Sequence, residues 1–111
     1  MNRSSTVTEI LLDLIAIPSV SSASNQAVID YARQWLTVIP ALGGDLVGYW
    51  MPHEGTDNIA LAMISFDSLA SYEKYRARLR ADEKAMANFR FAQTGKFILS
   101  EERSFLRKVE A

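Results

Sequence analysis

Residues 42–82 read LGGDLVGYWMPHEGTDNIALAMISFDSLASYEKYRARLRAD, an order of turn, strand, turn, strand and helix that decides the fold. The pair Gly43-Gly44 opens the stretch as a turn. Asp45 to Met51 is a strand pattern, with Leu46, Gly48 and Trp50 on one face and Val47, Tyr49 and Met51 on the other. Pro52 to Asn58 is a connection rich in turn formers. Ile59 to Phe66 is almost wholly apolar, as a central strand is, and a short loop makes it an antiparallel neighbour of the strand before it. Asp67 or Ser68 then caps a helix whose stripe is Leu69, Tyr72, Tyr75 and Leu79.

Downstream, Asp82 caps a shorter helix with Met86, Phe89 and Ala92 inward, and Gly95 follows. Phe97 to Leu99 and Ser104 to Val109 are strand-like, separated by Glu101-Glu102-Arg103. Upstream, Val28, Ala32, Trp35, Leu36 and Ile39 mark one face of a helix from about Asn25 to Val38, with Ser24 as its cap. Pro40 and the glycine pair stop that helix. The stretch 7–16 is ambiguous. Val7, Ile10, Leu11, Leu14 and Ile15 have helical spacing, and Thr6 stands three residues before Glu9 as in a capping box. ILLDLIAI also suits a strand buried on both faces. Local signals favour the helix, which Pro18 would end.

A chain of 111 residues is one domain. Its net charge of −1 gives no basis for nucleic-acid binding, which draws on Lys and Arg neutralising phosphates. Without cysteine there is no disulfide, no thiolate nucleophile and no Cys-based metal site. No apolar run is long enough to span a bilayer. The opening MNRSSTVTEILLDLIAIPSVSSA imitates a signal peptide, but Glu9 and Asp13 interrupt its apolar segment, so a cytoplasmic protein is expected.

The spaced combination GG…GY…PHEGT…FDSLA.YE.YR.RL.AD…ANF, within residues 31–109, resembles the bacterial NIPSNAP family. That resemblance implies an α+β, ferredoxin-like antiparallel sheet with helices on one face, of the dimeric α+β barrel type. A homodimer is the implied assembly, and no reaction, cofactor or catalytic residue is implied. The opening third departs from the pattern. LLDLIAIPSVSSASNQAVIDYARQWL is similar to the start of acetylornithine deacetylase-type zinc peptidases, where it forms a helix, an IPSVS turn and a second helix. The expectation is therefore one NIPSNAP-like domain over 1–111 with an atypical segment at 1–24, a hybrid gene start or a divergent one. In the ferredoxin-like order the first strand is central, so a helix at 7–16 would leave the sheet incomplete.

The peptidase likeness carries no peptidase chemistry. The chain has one histidine, His53, and no His-x-Asp motif, so no zinc site and no metal or other cofactor are expected. His53 and Glu54 could form an acid–base pair at a pocket rim, and the plainer reading is a solvated loop. Tyr49 and Trp50 lie on opposite faces of one strand, one toward the helices and one toward a dimer core, as packing or as a ligand platform. Lys74, Arg76, Arg78 and Arg80 read as a solvated helix face beside Glu73, Asp82 and Glu83. Arg90, between Phe89 and Phe91, could hold a carboxylate ligand or pair with Glu101 or Glu102. There is no nucleophile elbow, P-loop or dinucleotide fingerprint.

Three functions fit these features. The first is a homodimeric binding or scaffold domain, with a small hydrophobic ligand as a candidate partner. The second is a small cofactor-free enzyme, monooxygenase- or isomerase-like, working on a hydrophobic substrate between sheet and helices. A marginally stable by-product of gene fusion is the third.

Overall fold

The computed structural model describes residues 9–17, 22–52, 58–107 and 109, with the backbone path alone for 22–25. Its elements run β1 (Glu9–Ala16), α1 (Ser22–Ala41), β2 (Asp45–Trp50), β3 (Ile59–Phe66), α2 (Leu69–Ala81), α3 (Glu83–Gly95) and β4 (Ser100–Leu106). The strands make one antiparallel sheet in the order β2-β3-β1-β4.

Residues 9–16 are a strand, which overturns the helix that their local spacing favours. The reason is the position between two partners. Glu9 to Ala16 runs against Phe66 to Ile59 on one side, and Ile10 to Ala16 against Leu106 to Ser100 on the other. A helix there would orphan the facing backbone groups of β3 and β4. Helix preference amounts to only a few tenths of a kcal/mol per residue. Two hydrogen-bonded ladders and the burial of Leu11 and Ile15 outweigh it. Asn58 extends the ladder past the strand end: its backbone oxygen accepts from Ile17 N at 2.9 Å, and its Nδ2 donates to Ile17 O at 2.8 Å.

β2 does not alternate as its sequence suggests. Leu46 aligns with Ile64 and Gly48 with Met63, so Val47 is an extra residue, a β-bulge. The bulge puts Leu46 and Tyr49 together on the helix side and leaves Gly48 and Trp50 on the other.

α1 runs through Pro40 to Ala41 instead of stopping before it. Its end is a Schellman motif: Gly44 N donates to Ile39 O at 3.0 Å and Gly43 N to Pro40 O at 3.2 Å, with Gly43 at φ 102°. Gly44 is needed for space. A Cβ there would stand 2.7 Å from Ile39 Cγ2 and 3.3 Å from the Tyr75 ring. Gly44→Ala is therefore expected to lower stability by about 1–3 kcal/mol, measured by urea unfolding. The buried stripe of α1 is Val28, Tyr31, Ala32, Trp35, Val38 and Ile39, while Leu36 is exposed.

Ser68 and Asp82 cap the next two helices as their sequence positions indicate. Ser68 Oγ accepts from Ser71 N at 3.1 Å, and Asp82 Oδ2 from Ala85 N at 2.9 Å. On α2, Tyr75 and Leu79 are buried but Leu69 is exposed. On α3 the buried residues are Ala85, Asn88 and Ala92, with Met86 and Phe89 packed against the core. Asn88 is the polar tie between helices: its Nδ2 donates to Tyr31 O on α1 at 3.0 Å. Asn88→Leu is expected to cost about 1–3 kcal/mol and to lower the melting temperature, since it removes a buried hydrogen bond and enlarges a packed side chain.

A single strand, Ser100–Leu106, stands where two strand-like pieces, Phe97–Leu99 and Ser104–Val109, are expected. Glu101, Glu102 and Arg103 lie inside β4, paired with Ile15, Leu14 and Asp13. Phe97 to Leu99 is a connection, with Phe97 buried and Leu99 N donating to Ala16 O at 2.7 Å. Charges are tolerated in β4 because it is an edge strand exposed along its length.

The helices cover one face of the sheet. Its other face carries Ile10, Leu12 and Leu14 from β1 and Ile59, Leu61 and Met63 from β3, all half-buried, with Trp50 and Leu106 more exposed.

Candidate functional site

Strand alternation carries Asp13 onto the inward face of β1, between Leu11 and Ile15. Directly across the ladder stands Arg103, and Glu101 faces Ile15 on the same side of β4. Arg103 Nη2 donates to Glu101 Oε2 at 2.9 Å, while its Nε lies 3.7 Å from Asp13 Oδ2, an ionic contact beyond hydrogen-bond length. The Asp13 side chain is 15 % exposed, and its Oδ1 is buried with no hydrogen-bond partner.

This triad borders a cavity of about 40 Å³ between sheet and helices. Rings form much of its wall: Tyr31 and Trp35 from α1, Tyr49 from β2, Tyr75 from α2 and Phe89 from α3. They support one another, Trp35 standing edge to face with Tyr31 at 5.8 Å and tilted against Phe89 at 5.0 Å. Arg76 of α2 also lines the space. The volume holds a few waters or a compact chemical group.

Burial sets the electrostatics. Desolvation and then the adjoining Glu101 carboxyl push Asp13 up to about 8, with Arg103 opposing. A proton on Asp13 removes the cost of burying an unpartnered carboxylate. Burial works against the charge of Arg103, yet Glu101 and Asp13 hold it above its ordinary value. Burial also raises Tyr31 and Tyr75 to about 12 and lifts Tyr49 well above a normal phenol. All three phenols stay neutral donors at physiological pH.

The residues singled out in the sequence are scattered. Tyr49 lines the cavity, and Trp50 is on the opposite sheet face. Arg90 is exposed on α3 and borders a separate surface groove with Asp82, Glu83 and Lys84. Glu101, its suggested partner, takes Arg103 instead. His53 and Glu54 lie outside the described residues. Asp13, Glu101 and Arg103 were not among the candidates. A signal existed: one Asp in the inward phase of an apolar strand needs a partner. It becomes readable only once residues 9–16 are known to be a strand.

No group of three or more His, Cys, Asp or Glu side chains among the described residues is placed to hold a metal. No helix among them is long and apolar enough to cross a membrane.

A βαββααβ chain with this strand order, helices on one face and a small aromatic-walled pocket under them is an α+β, ferredoxin-like domain. The NIPSNAP family profile matches residues 19–111, and the chain belongs to that family. Solved structures agree on the fold. A NIPSNAP family protein of unknown function from Agrobacterium tumefaciens superposes with a TM-score of 0.79 at 18% identity, over 94% of this chain and 90% of that one. A second from the same organism gives 0.80 at 17% identity, over 99% and 93%. An uncharacterised NIPSNAP domain protein from Burkholderia xenovorans gives 0.72 at 21% identity, over 93% and 94%. No curated protein matches the chain.

Proposed function

We propose that this chain is a homodimeric binding domain that pairs through the open face of its sheet and takes a small ligand in the pocket under its helices. The observation that carries the reading is the row Leu14, Leu61 and Trp50, flanked by Leu12, Met63 and Ile59, on a face that no helix among the described residues covers. Apolar surface of this kind on a domain of this size favours association, and a twofold pairing covers it with the same patch of a second copy. Light scattering during size exclusion at micromolar concentration should return twice 12.4 kDa. A strict monomer overturns the homodimer.

A cofactor-free enzyme in the same pocket is the second reading, supported by Asp13. A buried acid that titrates near 8 beside neutral phenols suits proton transfer near neutral pH. The cavity of about 40 Å³ is small against the roughly 300–1,000 Å³ of sites that enclose drug-sized ligands, so a bulky hydrophobic substrate requires the helix layer to part. Hydrogen exchange at the α-carbon of a ketone probe, unchanged between wild type and Asp13→Asn, removes this reading.

We read the opening residues 1–24 as a segment of different origin from the NIPSNAP body. The peptidase-like wording supports this, with ordinary divergence as the alternative. A neighbouring intact peptidase gene with the same first residues would strengthen it, and a lineage of relatives sharing this start would end it. The protein is expected to work in the cytoplasm, which fractionation of a tagged chain tests.

A further inference from the structure

At one end of the pocket two carboxyls share one guanidinium, while Arg76, also in the lining, makes no ion pair with either of them. Asp13 and Glu101 bring two carboxyls to one end of the cavity, and Arg103 contributes one guanidinium, spent mainly on Glu101 at 2.9 Å. Its distance of 3.7 Å from Asp13 leaves that carboxyl without a close hydrogen-bond donor, and Oδ1 has none at all. Beside this deficit stand the rings of Tyr31, Trp35, Tyr49 and Tyr75, whose faces attract cations. We propose that the pocket binds a primary ammonium group on a short alkyl stem, seated against Asp13 and Glu101 with its stem on the aromatic wall.

Size and chemistry agree. A cavity of about 40 Å³ admits an ammonium head and few further atoms. The head supplies three donors, enough for Asp13 Oδ1 and the second carboxyl. An anionic ligand would use Arg103 and Arg76 but would meet two carboxyls at the same end, and a neutral alcohol would leave the charge deficit in place. The inference rests on the pocket part of the proposed function and not on the homodimer.

Binding should displace the proton of Asp13. The groups that face it are Glu101 and Arg103 from β4, Tyr31 from α1, Tyr49 from β2, and Tyr75 and Arg76 from α2. The phenols and guanidinium groups keep their protonation from pH 6 to 8, and an alkyl ammonium stays charged up to about pH 10. With Asp13 pushed up to about 8, affinity should rise at least tenfold from pH 6 to pH 8.

Calorimetric titration of the full chain with n-propylammonium, 1-propanol and propionate tests this. Propylammonium should bind at least tenfold more tightly than the other two. Its affinity should climb with pH as stated, with a heat that depends on the buffer's ionisation enthalpy. Asp13→Asn should abolish the climb and weaken binding at least tenfold. Glu101→Gln, at a more exposed site, should weaken binding too and guards against a misfolded first variant. Equal binding of propanol and propylammonium, a preference for propionate, or an affinity flat in pH overturns the ammonium ligand while leaving a pocket that binds. Binding of none of the three overturns the pocket as a site for such small ligands as well, and the dimer mass reports separately on the other half of the proposed function.

Discussion

Leu61→Glu should turn the proposed homodimer into a folded monomer. Leu61 sits near the middle of the uncovered sheet face, between Leu14 on β1 and Trp50 on β2. In a single chain the site is half-buried on a face open to water, so a carboxylate there stays hydrated and the helix-side core, on the opposite face, is untouched. In a dimer paired through this face the carboxylate would be sealed under the partner's apolar sheet, a charge without water or a counter-ion. A penalty of about 3 kcal/mol or more is expected, a loss of over a hundredfold in association. Light scattering should report 12.4 kDa with an unchanged circular dichroism spectrum. Leu69→Glu is the control. Leu69 is 49% exposed on α2, away from the sheet face, and its replacement should leave the dimer mass unchanged. A dimer that survives Leu61→Glu would place the contact elsewhere.

The second large effect is on pH dependence. Asp13 titrates near 8 in the folded chain against an ordinary value of 3.8. The folded state therefore holds a proton that the unfolded state has released, and stability is greatest at low pH and falls as pH rises toward and through 8. Between pH 6 and pH 9 the loss from this group is on the order of 2–3 kcal/mol. Wild-type unfolding by urea should show that decline, and Asp13→Asn should flatten it because an amide keeps a donor at every pH. The variant should be the more stable protein at pH 9. A wild-type curve that is level, or that rises from pH 6 to pH 9, would mean that Asp13 is ionised throughout and satisfied in some other way.

What could be read before the structure was the local grammar. Gly43-Gly44 ends a helix because a Schellman turn needs a left-handed residue and room for the next. Ser68 and Asp82 cap helices because a short side-chain oxygen reaches a free N–H. Ile59 to Phe66 makes a central strand, since eight residues of such apolarity lose least when both neighbours are strands. The site resisted the same treatment. Tyr49 was found for its aromaticity, but the bulge at Val47 that aims it inward has no signature in the residues themselves. His53 and Arg90 drew notice by rarity and by aromatic flanks, and rarity says nothing about where a chain bends in space.

Sequence alone determined the kinds of element over residues 42–52 and 58–95 and the kinship with NIPSNAP proteins. These depend on contacts within a few residues, which the order of side chains states directly. Tertiary structure alone decided that residues 9–16 are a strand, because the hydrogen bonds that overrule helical preference come from β3 and β4, far along the chain. It also brought Asp13 to Glu101 and Arg103. A charge cluster assembled from opposite ends of a chain exists only when the sheet that joins them has closed.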